Sequence, residues 1–139
     1  MATVDPDWYV LRNAVIAGQH SQAAALLAAR PELIHLANGI GETVLHFLAV
    51  ENHQEGVAWL HVHGADIDTK NEFGTPVLFE VASLEYQSLF KWFVSAGADV
   101  LATDRHNQDL VEHLLEYDKM EMADWVRRQS GTSDEGATQ

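Results

Sequence analysis

Apolar residues recur along this chain in short bursts at three- and four-residue spacing, each closed by a turn residue. That spacing puts them on one face of an α-helix. Asp5-Pro6 reads as a cap followed by proline at the first helical position, and the helix it opens ends at Gly18. Ser21 is expected to cap a second helix over 22–29, which stops before Pro31. After an irregular stretch to Gly41, Thr43 caps a helix to about residue 51, and Asn52 supplies a left-handed end. Its partner, 54–63, ends at Gly64. Thr75-Pro76 opens a third pair, broken near 84–86 and closed by Gly97. Asp109 opens the last pair, broken near Asp118 and closed around Gln129. Each unit is therefore helix, tight turn, helix, long loop.

The units repeat with a period of 33. Gly64-Ala65-Asp66 returns one period later as Gly97-Ala98-Asp99. Gly41 matches Gly74, Leu45 matches Leu78, Ala49 matches Ala82 and Leu60 matches Phe93; Trp59 leads to Trp92 and then Trp125. The first loop is one residue longer, as the wider step from Leu11 to Leu45 shows. A fixed period of about 20–50 residues marks stacked repeats, whose units bury their apolar faces only against neighbours. The period predicts four repeats, about 5–37, 38–70, 71–103 and 104–130, in one domain over 1–130. The small, polar 131–139 is predicted to be a disordered tail. Trp59, Trp92 and Trp125 are expected in the core, with Leu60, Phe93 and Val126 as the adjoining register.

The run Gly41-Glu42-Thr43-Val44-Leu45-His46, with Ala49, Leu60 and Gly64-Ala65-Asp66, resembles an ankyrin repeat, whose pattern is Gly-x-Thr-Pro-Leu-His-x-Ala followed by Leu-Leu and Gly-Ala-Asp. Gly74-Thr75-Pro76-Val77-Leu78-Phe79, with Ala82 and Gly97-Ala98-Asp99, resembles it too. The first and fourth units are degenerate, as terminal repeats usually are. The resemblance implies an all-α ankyrin-repeat solenoid of helix-turn-helix units with hairpin-like loops. It implies that His46 braces its turn locally with Thr43. Phe79 replaces that histidine one repeat on, and Thr75-Pro76 stands one residue early. Glu85 stands where Asn52 stood, in a left-handed turn that suits it less.

Composition narrows the function. The chain holds 139 residues and no cysteine, so disulfides and thiolate metal sites are excluded. Its acidic N-terminus shows no apolar signal segment, and no apolar run approaches the ~18–20 residues of a spanning helix. A cytoplasmic protein is expected. The net charge of −13 disfavours nucleic acid and anionic membranes and would steer in a basic protein. The same acidity serves solubility alone equally well.

The eight histidines invite a metal or catalytic reading. His61 and His63 are two apart and share no helix face, and His20, His35, His53, His106 and His113 fall in different units. Asp66-Ile67-Asp68 starts like a calcium loop, but Lys70 takes a ligand place. No phosphate loop or nucleophile elbow occurs. We expect no catalytic residue, metal or cofactor, and hence no enzyme.

The family resemblance implies a monomeric module that binds a partner protein on its concave face, through loop tips and the exposed sides of the first helices. Carried over by position, the partner-binding residues are Trp8 in the first repeat and Ile40, Glu42 and Glu51 in the second. They are Glu72, Phe73 and Leu84 in the third, and Arg105, His106, Glu116 and Tyr117 in the fourth. Trp8, Ile40, Phe73 and Tyr117 would be apolar anchors, and Glu42, Glu51, Glu72 and Glu116 charge selectors. Packing of loop against loop accounts for Ile40 and Phe73 equally well. An inhibitor or immunity role against a basic toxin or nuclease is one alternative. A small-ligand binder or enzyme, which would need a pocket, is another. A self-associating scaffold is a third.

Overall fold

A computed structural model describes residues 5–138, with side chains to residue 129. The expected tail, 131–139, falls outside the fully described residues. Helices alternate in pairs: α1 Pro6–Ile16 with α2 His20–Ala29, α3 Val44–Val50 with α4 Gln54–Val62, α5 Val77–Ser83 with α6 Gln87–Ser95, and α7 Leu110–Glu116 with α8 Met120–Thr138. A 3₁₀ turn, Pro31–His35, fills the longer first loop. Among the described residues, no helix is long and apolar enough to cross a membrane.

Local chemistry sets these limits. Asp5 accepts from the Asp7 N–H at 3.0 Å, and Thr43 Oγ1 from the His46 N–H at 3.2 Å. Asp109 and Glu112 form a reciprocal capping box, each side chain accepting from the other's N–H at 2.9 Å. Ser21 is not a cap: α2 starts at His20 behind Gln19, so Ser21 lies inside the helix. His53 caps α4 instead, its Nδ1 accepting from the Gly56 N–H at 3.0 Å. Pro76 precedes α5 without a side-chain cap. The turns inside the last three pairs pass through positive φ at Asn52 (60°), Glu85 (66°) and Asp118 (61°). Glu85 thus accepts the left-handed conformation despite its side chain.

First helices pack directly on first helices, α1 on α3, α3 on α5 and α5 on α7, while each second helix packs chiefly on its own partner. The stack therefore bends toward the first-helix row. Leu11, Leu45, Leu48, Leu78, Phe79 and Leu114 fill that row from within, and Leu27, Leu60, Phe93 and Val126 continue the core through the second helices.

The tryptophan ladder departs from expectation. Trp59, Trp92 and Trp125 are only partly buried and lean on the core from outside. Each meets a ring from the preceding repeat: Trp59 stacks on His20 at 5.4 Å, Trp92 meets His61 edge-on at 5.7 Å, and Trp125 meets Phe90 at 5.4 Å. They join second helices that are otherwise loosely apposed. The adjoining Leu60–Phe93–Val126 register is buried as expected.

Candidate functional site

Each first helix of the last three repeats is preceded by a finger built on one chain pattern. Asn38, Asn71 and Asp104 stand at equivalent positions of successive repeats. Asn38 Oδ1 accepts from the Ile40 and Glu42 N–H groups at 3.0 and 2.9 Å. Asn71 Oδ1 accepts from Phe73 and Thr75 at 2.9 and 3.1 Å. Asp104 Oδ1 accepts from His106 and Gln108 at 2.9 and 3.0 Å. A short side-chain acceptor folding back on the backbone two residues on is the Asx turn. It fixes the next residues at the fingertip. The sequence reading missed this row, although its period was in plain view.

The tips carry Ile40, Phe73 and His106 in register, with Glu72 and Arg105 beside the last two. Ile40 is 52% and Phe73 53% exposed, so neither is consumed in loop packing. A second row lies at the far ends of the first helices. There Glu51, Leu84 and Tyr117 are the C-terminal caps of α3, α5 and α7. All three are exposed, as is Glu116 beside Tyr117. The rows are separated by a seven-residue helix, about 10 Å at 1.5 Å per residue. The structure thus sets the expected residues in two parallel lines flanking the first-helix row.

Two expected residues do not reach the surface. Trp8 is 1% exposed, and its indole N–H donates to the Leu36 carbonyl at 3.1 Å. It is a core residue that closes the first loop over α1. Tyr9 and Arg12 are presented nearby instead: the Arg12 guanidinium lies 5.0 Å from the Tyr9 ring and 5.2 Å from Phe47. Glu42 is 7% exposed and turns inward against His46. Burial pushes its carboxyl up, and the negative charge of Glu80 adds to that; His46 and Asn38 oppose it.

The histidines are also less peripheral than expected. His46 has no exposure, and its Nε2 contacts Glu80 of the next repeat. It therefore braces two repeats together, and only its backbone N–H engages Thr43. His113 is buried and its Nδ1 lies 2.8 Å from Asp104 Oδ2. Burial pushes the Asp104 carboxyl up, but His113 and the two finger N–H groups outweigh it and hold the group below the usual carboxylate range. A depressed folded pKa stabilises the fold fully above the unfolded value, about 3.9, and that contribution is lost as pH falls through the folded value. Asp104→Asn should therefore flatten the dependence of the urea midpoint on pH below about 4. An unchanged acid slope would show that Asp104 is not a source of it.

Glu51, Glu72 and Glu116 have no ion-pair partner among the described residues. Bases elsewhere are engaged: Arg30 holds Asp5, Asp7 and Glu32, and Lys119 pairs with Glu85.

The family model for ankyrin repeats (many copies) matches residues 45–94, from Leu45 in α3 to Val94 in α6. Residues 45–94 carry ankyrin repeats. Two Variola virus sequences, each named ankyrin repeat protein OPG189, are 29% identical to it over 86 residues. That similarity covers 62% of this chain, and the chain spans about 15% of the length of the viral proteins. Ankyrin repeats are generally protein–protein interaction modules and are typically non-enzymatic. Outside 45–94 the helix-pair architecture continues, with the α1–α2 and α7–α8 pairs closing the two ends of the stack.

Proposed function

We propose that this ankyrin-repeat chain is a non-enzymatic, monomeric binding module that holds a basic protein on its concave face. One observation carries the reading: Ile40 and Phe73 stand half-exposed at equivalent tips, raised there by Asx turns one period apart. An apolar residue held out by the backbone at successive repeats is an anchor in search of a pocket. Leu84 and Tyr117 offer a second apolar line, and the unpaired Glu51, Glu72 and Glu116 select for Lys or Arg around them. Arg105 and His106 bound the face at the last finger. Neutralising a basic toxin or nuclease is the narrower form of this reading, supported by the net charge of −13.

A small-ligand role finds less support. A cleft of about 430 Å³ exists, but it lies among Val15, Ile16, His20, His53 and Trp59, away from the fingers. Of its polar groups, His53 is spent on capping α4 and His20 stacks on Trp59.

The test compares wild type with Phe73→Ala/Glu51→Lys/Glu72→Lys in affinity capture from native lysate, followed by titration of whatever wild type retains. Loss of about 2 kcal/mol or more of binding is expected for the triple variant, the usual scale of anchor residues. Affinity should fall as salt rises from about 0.05 to about 0.5 M. Equal retention by both proteins moves the site off this face, and salt-independent binding removes the charge selectors from it.

A further inference from the structure

We propose that Glu42, His46 and Glu80 form a binding site for a first-row divalent cation, with zinc the best fit. The three side chains come from two adjacent repeats: Glu42 precedes α3, His46 lies in its first turn and Glu80 lies in α5. One ligand atom from each can be chosen so that all lie within 4.8 Å of one another. His46 Nε2 is 4.0 Å from Glu42 Oε2 and touches Glu80 Oε1. Zinc bonds of about 2.0–2.2 Å in a tetrahedral set place donors about 3.3–3.5 Å apart, so Glu42 must close slightly on His46 while the Glu80 carboxylate backs away from its direct contact with Nε2 to admit the ion. Glu80, with its side chain 30% exposed, has room to make it.

The electrostatics favour a cation. Two carboxylates converge on one imidazole, and among the described residues no Lys or Arg pairs with either. The Glu42 side chain is only 9% exposed, so water screens it poorly. A divalent ion would cancel the repulsion between Glu42 and Glu80 and tie the second repeat to the third.

The donor set selects the metal. Imidazole is a poor ligand for magnesium and calcium, which prefer oxygen cages. One nitrogen and two carboxylate oxygens, with an open position beside Glu80, match a zinc site completed by water. His46 Nδ1 is buried with no partner. A ligating histidine normally donates that N–H to an acceptor, and losing such an acceptor costs about 10–100-fold in affinity. Binding in the micromolar range is therefore expected.

Isothermal titration of zinc chloride into the full chain, free of any polyhistidine tag, tests the site independently of any protein partner. Wild type should bind one zinc saturably and melt at a higher temperature with zinc, and magnesium or calcium should not replace it. Glu80→Gln, at the solvent-facing edge, should weaken binding at least about tenfold while keeping the wild-type circular dichroism spectrum. His46→Phe should do the same, using the residue that occupies the equivalent position, 79, one repeat later. Glu55→Gln, at an exposed position of α4, should leave binding unchanged. No saturable binding by wild type overturns the proposal. So does binding that survives both Glu80→Gln and His46→Phe, which would assign the zinc to other histidines.

Discussion

Phe79→Ala is expected to lower the unfolding free energy by about 3–5 kcal/mol, the cost of deleting a fully buried aromatic side chain. Phe79 has no exposure and packs 5.1 Å from the His113 ring of the fourth repeat. Its helix, α5, touches α3 on one side, α7 on the other and its own partner α6. In a repeat stack, stability is a sum of units and nearest-neighbour interfaces. A cavity in an internal first helix therefore weakens two interfaces at once. Against a typical total of about 5–15 kcal/mol, this loss leaves little in reserve. Trp92→Ala removes a larger ring but from a half-buried site on the outer side. Its expected cost is about 1–3 kcal/mol, since part of that area is already wet. Urea unfolding of both variants, with unchanged slope, decides the order. A Trp92→Ala loss as large as that of Phe79→Ala would mean the tryptophans are core after all.

That contrast shows where sequence reading reaches and where it stops. Period 33 located the helix pairs because equivalent residues must meet equivalent neighbours. It also located Ile40 and Phe73, since a shared register puts both at fingertips. Depth was harder. Trp59, Trp92 and Trp125 follow the core period, yet a helix face about 100° wide has edges. A ring at the edge shares the period of the residue beside it. Trp8 failed for a related reason: the longer first loop, with its 3₁₀ turn, ends at a Leu36 carbonyl that receives the indole N–H. Nothing local to Trp8 signals that closure. Ser21 failed because α2 begins two residues earlier than expected, at His20, behind a residue that makes no side-chain cap.

Juxtapositions between repeats were the other gap. His46 and Glu80 are separated by one period and one further residue. Ligand spacing inside a helix cannot reveal such a pair, but the stacking period can: any two residues one period apart are neighbours in space. The Asp68 side chain accepting from the Asp99 N–H at 2.8 Å, and Tyr86 donating to the Val50 carbonyl at 2.9 Å, likewise join residues within a few positions of one period apart. Reading a repeat sequence as a lattice, along the chain and across the period, would have found the Asn38–Asn71–Asp104 row and the Glu42–His46–Glu80 cluster together.

The same lattice makes Gly41 the most sensitive glycine of the fingers. Gly18, Gly74 and Gly41 share nearly one conformation, with φ of 74°, 79° and 78°. A Cβ in that region costs about 1–2 kcal/mol by itself. Their surroundings differ. A Cβ at Gly18 would meet nothing within 4 Å, and one at Gly74 would meet Arg105 Cβ at 3.1 Å. One at Gly41 would lie 2.5 Å from the Glu72 backbone nitrogen and 2.7 Å from its Cβ. Backbone cannot rotate aside as a long side chain can, so the fingers of the second and third repeats must part. Overpacking of that kind adds about 1–3 kcal/mol. Alanine should therefore cost about 1–2 kcal/mol at Gly18, slightly more at Gly74 and about 2–5 kcal/mol at Gly41. Because Glu72 and Phe73 ride on the displaced finger, Gly41→Ala should weaken partner binding as well, while Gly18→Ala leaves it intact. Thermal melts and titrations of the three variants measure both effects. Equal costs at all three positions would show that neighbouring fingers do not touch as closely as this lattice requires.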